Sequence, residues 1–215
     1  MAWAMARHFV TALNIGSMGF FWWELPRQTG RFYDSIHDLE SPGTKVRIEQ
    51  KIEVEWGRRT LTPDDLVRAA NCMFVMSKMA PDVAQQIFGP YVIGLTFLSK
   101  TDIHFQFERD VAAAFVQSLL NAMRHFGAWD GQPDNRDQAV RNFFTPIFSS
   151  ADDLEELFNL IKSFASDDPR SRPPIKIGDA AKCKALCDTF LIKMCASQVD
   201  QAVRAELRKS EGEAS

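Results

Sequence analysis

The chain has 215 residues, the length of one large domain or of one domain with an appendage. Hydrophobic residues at 46% and charged residues at 25% exclude a disordered or collagen-like chain, and a net charge of −3 excludes a strongly basic nucleic-acid binder. Aromatic usage is lopsided, with 17 Phe and 5 Trp against 2 Tyr, which predicts a large dry core or an apolar docking surface.

Residues 2–25 read as a first helix, apolar on several faces and stopped by Pro26. Within it, residues 8–23 carry no fixed charge before Glu24. The run is shorter than the ~20 apolar residues of a spanning helix, and it is broken by Thr11, Asn14, Gly16, Ser17 and Gly19. Trp22, Trp23 and Glu24 make a poor cleavage site for a secretory leader, so no membrane span is expected. Residues 31–39 predict a further helical turn or two, ended by Ser41, Pro42 and Gly43.

Between 45 and 56, Val46, Ile48, Ile52, Val54 and Trp56 alternate with charged residues, the period of a half-buried strand. A helix is the alternative, because Ile48, Ile52 and Trp56 also lie four apart. Thr62, Pro63, Asp64 and Asp65 start the next helix: a capping hydroxyl, a proline suited to the first turn, and two acids at the positive end of the dipole. It is predicted over 63–79, with Leu66, Ala70, Met73 and Phe74 facing inward. Pro81 restarts a helix that Gly89 and Pro90 interrupt.

Residues 91–107 read either as two strands or as a continued helix. Phe107, Val111, Phe115, Leu119, Met123 and Phe126 then mark the central core helix. A polar loop over 127–137 precedes a helix over 136–148, bent at Pro146, and another from Ser150 to about 165. Residues 166–179, with three prolines and Arg170, Arg172 and Lys176, read as a linker to a final helix over 180–208. The expected architecture is a mainly α, multi-helix bundle-like domain over 1–165. A small sheet from 45–56 and 91–107 would make it α+β, and the last helix packs on the core or on a partner.

Several side-chain groups bear on function. Cys183, Cys187 and Cys195 share one face of the last helix, and only Cys72 lies elsewhere. That is no disulfide framework and lacks the remaining ligands of a zinc site, so buried packing in a reduced cytoplasm is expected, with no metal or cofactor. Arg31 and His37, with five residues between them, resemble the arginine–histidine motif of the HEPN ribonucleases. The resemblance implies a helical, metal-independent ribonuclease in which Arg31 holds a phosphate and His37 exchanges a proton with the ribose hydroxyl, making RNA the partner. The plain alternative is a surface turn with Arg31 beside Asp34 and His37 beside Asp38. Arg58 and Arg59 form a weak basic cluster for phosphate contact, with Glu53 and Glu55 close by.

Phe20, Phe21, Trp22 and Trp23 place four large rings in a row, more than one helix face can bury. They are the candidate partner-binding residues, and the leading expectation is a non-catalytic interaction module, a subunit or adaptor binding a protein partner or its own copy. The ribonuclease of Arg31 and His37 is the first alternative. A helical domain with an aromatic ligand pocket is the second.

Overall fold

A computed structural model describes residues 2–23, 36–38, 61–100, 107–148, 155, 158–161, 164 and 175–213. The elements are α1 (Ala2–Ser17), β1 (Phe21–Trp23), β2 (Ile36–Asp38), α2 (Pro63–Lys78), α3 (Pro81–Lys100), α4 (Glu108–His125), α5 (Pro133–Phe144) and α6 (Ile177–Glu213). The fold is mainly α and multi-helical. β1 and β2 form one short antiparallel pair, with Trp22 opposite His37.

α4 lies between α3 and α6, and α2 lies between α1 and α6. The faces follow from the sequence. Val111, Phe115, Ser118, Leu119, Ala122 and Met123 are buried on α4, so it is the central helix its spacing predicts. It ends in a glycine with φ +73°, Gly127. Ala128 N–H donates to the Met123 carbonyl and Gly127 N–H to Arg124, the paired bonds of a left-handed helix stop.

The first helix ends earlier than its apolar run predicts, at Ser17 rather than 25. Met18 takes φ 52° and Gly19 follows, so the chain turns out of the helix and the aromatic residues after Phe20 enter a strand. Residues 36–38 are likewise strand, not helical turn. The proposed strand at 45–56 lies outside the described residues, whereas 91–100 is helix throughout.

Gly89 and Pro90 do not interrupt α3. Proline removes one helical donor and frees the carbonyl four residues earlier, that of Gln86. Asn121 Nδ2 of α4 donates to that oxygen at 2.6 Å, and Ser118 Oγ donates to the next one, Ile87, at 2.7 Å. The neighbouring helix thus supplies what the proline withholds. Gly94 serves the same packing, since a Cβ there would meet the Phe115 ring at 3.0–3.2 Å.

α2 carries the predicted capping box: Thr62 Oγ1 accepts from Asp65 N–H at 3.2 Å, and Asp65 Oδ2 accepts from Thr62 N–H at 2.9 Å. Its inward face is rotated from the predicted one. Asp65, Ala69, Cys72, Val75 and Met76 are buried, while Leu66, Ala70 and Phe74 are exposed. The cause is the crossing with α1: a Cβ on Gly16 would stand 2.4 Å from Ala69 N and 2.8 Å from Asp65 O, so only glycine lets the two backbones approach there.

α5 starts three residues before its predicted position and ends at Phe144, before Pro146. Asp130 accepts from Gln132 N–H at 2.9 Å and Asn135 Nδ2 at 2.8 Å, which closes the preceding turn. Of the predicted linker, residues 177–179 already belong to the first turn of α6.

Candidate functional site

α6 is 37 residues long, a span of about 55 Å at 1.5 Å per residue, and its two halves meet different surroundings. Over its first half the residues at spacing three and four are buried: Ala180, Cys183, Lys184, Cys187, Asp188, Leu191 and Cys195. From 203 to 209 every residue is exposed.

The buried half meets the C-terminus of α1, whose last carbonyls lack helical partners. Lys184 Nζ donates to the Asn14 carbonyl at 3.2 Å and pairs with Asp188 Oδ2 at 2.5 Å. Asp188 Oδ1 accepts from Tyr91 Oη of α3 at 2.7 Å. On the other side Arg68 Nε of α2 donates to the Gly16 carbonyl at 2.7 Å and forms an ion pair with the buried Asp65. Two cations from two helices therefore sit where the dipole of α1 favours positive charge, and each is braced by a carboxylate of its own helix.

Polar residues within α1 are satisfied locally. Thr11, Asn14 and Ser17 each donate to the carbonyl four residues back, at 2.7–2.8 Å.

Burial and the Asp188 charge push the Tyr91 hydroxyl well above its ordinary pKa. Burial likewise raises the thiols of Cys183 and Cys187, the neighbouring carboxylates of Asp179 and Asp188 adding to it. Cys72 is raised by its hydrogen bond with Cys195 and by burial. The four cysteines are free and buried, so they pack as small apolar groups and are not poised nucleophiles. Among the described residues no group of three His, Cys, Asp or Glu side chains is arranged to hold a metal.

An apolar cleft of about 400 Å³ opens beside this network, between Met18, Phe20, Ala181 and Ala185. Lys184 borders it, but its ammonium is held by Asp188 and Asn14 and stacked over the rings of Phe20 and Tyr91, 4.8 and 5.5 Å from their centroids. An ammonium so engaged ties α6 to α1 and to the rings beside it.

The distal half borders a larger groove of about 1260 Å³. Phe74, Lys78 and Met79 at the end of α2, Val83 of α3 and Phe126 after α4 form one wall, and Ala202, Val203, Glu206 and Leu207 of α6 form the other. Val203 is 53% exposed, Leu207 57% and Phe74 40%. Single exposed apolar residues are ordinary; here three of them line one groove.

The structure brings few of the sequence-derived candidates together. Phe20 is only 9% exposed and lies under Lys184, in the interior. Phe21, Trp22 and Trp23 form β1, with His37 in β2 opposite Trp22. Arg31, Arg58 and Arg59 lie outside the described residues. No helix among the described residues is long and apolar enough to cross a membrane. Reasoning from the sequence missed the groove, although Val199, Val203 and Leu207 at four-residue spacing were a legible stripe. Comparison with protein-family models, curated proteins and solved structures gives no match.

Proposed function

We propose that this protein is a non-catalytic helical interaction module whose docking face is the groove between the end of α2 and the distal half of α6. One observation carries the reading: Val203 and Leu207 stay more than half exposed on a helix that runs on beyond its own core. An isolated helical extension of this length is marginal in water, and most helical stability comes from packing an apolar face. A groove walled by Phe74, Met79, Val83 and Leu207 suits an amphipathic helix, which places side chains at i, i+4 and i+7 into such a cleft.

A photoreactive benzoylphenylalanine at position 207 tests it in cells making the protein. A polypeptide adduct is expected from 207 and not from 138, an exposed position on α5 away from the groove. The adduct is expected to vanish when Phe74→Asp is added. Equal labelling from both positions, or none from 207, overturns the reading.

A further inference from the structure

The exposed end of α6 carries a pattern that complements itself. Val199, Val203 and Leu207 are four apart and form one stripe. Beside it, 100° around the helix, Asp200, Arg204 and Arg208 form a second strip at the same spacing. None of these three takes part in an ion pair of the described residues, and all three are exposed.

We infer that the occupant of this face is a second copy of the chain, its α6 laid antiparallel along the first about a twofold axis at Val203. This rests on the reading of the groove as a docking face. A twofold axis perpendicular to two antiparallel helices brings the same flank of each helix together. Val203 then meets the partner's Val203, and Val199 meets the partner's Leu207. On the flank, Asp200 falls between the partner's Arg204 and the partner's Arg208, and symmetry makes that contact twice. An isologous interface needs one patch complementary to itself, and a strip ordered acid, base, base with its apolar neighbour meets that condition when reversed. The partner's helix runs along the groove mouth and covers Val203 and Leu207, which the monomer leaves more than half exposed, while Val199 also packs on its own core.

Sedimentation equilibrium of the full chain between about 1 μM and about 300 μM tests the inference, in a range where modest interfaces dissociate. A monomer–dimer equilibrium is expected. Asp200→Arg sets three cations together on each flank and is expected to weaken the dimer about tenfold or more, as is the pair Arg204→Asp with Arg208→Asp. The triple variant carrying all three reversals restores the complementary pattern and is expected to dimerise like the parent. All positions are exposed, and circular dichroism confirms folding of each variant. A parent that stays monomeric throughout, or a dimer indifferent to the reversals, overturns the inference. If the purified chain is monomeric while position 207 still forms adducts of another mass in cells, the interaction reading stands and the second copy falls. If neither dimer nor adduct forms, both fall.

Discussion

The two halves of α6 are one continuous helix, yet they do opposite things with apolar and charged residues. The first half buries a lysine and an aspartate and wraps them in Tyr91, Phe20 and the end of α1. The second half leaves Val203 and Leu207 in water with its charges around them. Hydropathy alone would place these residues the other way round. What decides the first half is partnership: orphan carbonyls at the end of α1 need donors, and a cation braced by its own carboxylate supplies them. What decides the second half is the absence of any further helix of the described chain to pack against. A buried charge here marks where the fold is held, and an exposed valine marks where the core ends.

Removing a charge from the proximal half gives the largest expected effect. Lys184→Met leaves Asp188 buried without its ammonium partner and is expected to cost about 3–5 kcal/mol in urea unfolding. The double change Lys184→Met with Asp188→Leu is expected to recover most of that loss, because an apolar pair leaves no charge without its partner. If the single change is harmless, the buried pair does not hold the fold.

Alkaline pH probes the same half without mutation. Tyr91, Cys72, Cys183 and Cys187 all have folded pKa values raised above their ordinary ones, near 9 for a thiol and 10 for tyrosine. The unfolded chain therefore loses its protons first, so stability is complete below about pH 9 and falls as pH rises. Each raised thiol contributes about 1 kcal/mol per pH unit, and the three together about 3 kcal/mol between pH 9 and 10. A flat profile of urea midpoint over that interval would contradict the burial of these groups.

Gly16→Ala tests the contact on which that half rests. The added methyl meets the backbone of Ala69 and Asp65, and forcing α1 from α2 is expected to cost about 1–3 kcal/mol and to loosen the Arg68 and Lys184 contacts together. At the other extreme, Val203→Asp and Leu207→Asp are expected to change monomer stability by no more than about 0.5 kcal/mol while abolishing association. A large loss of monomer stability would show that these residues serve the core.

Much of the fold is legible in the sequence where local chemistry is strong. Thr62, Pro63 and Asp65 announce α2, and the spacing of Val111, Phe115 and Leu119 announces α4. Legibility fails where a distant partner changes the rule. Pro90 reads as a break because nothing nearby shows that Asn121 will satisfy the Gln86 carbonyl it frees. The inward face of α2 reads wrongly because Leu66 and Phe74 are more apolar than Asp65, and only the crossing at Gly16 shows why the acid goes inside. The four consecutive rings at 20–23 suggest a surface, but Phe20 is drawn inward by the Lys184 ammonium. The apolar stripe on α6 was readable as a pattern, yet a stripe of that kind says nothing of whether its own fold will cover it.

Hydrogen exchange along α6 tests the division most directly. At low protein concentration the amides of 183–195 should exchange only through global unfolding, while those of 200–209 should exchange orders of magnitude faster, as frayed helix does. Raising the concentration of the protein should slow exchange at 200–209 and leave 183–195 unchanged. Uniform protection along the helix at low concentration, or fast exchange at 200–209 that concentration does not alter, would contradict the claim that α6 holds the fold with one half and docks with the other.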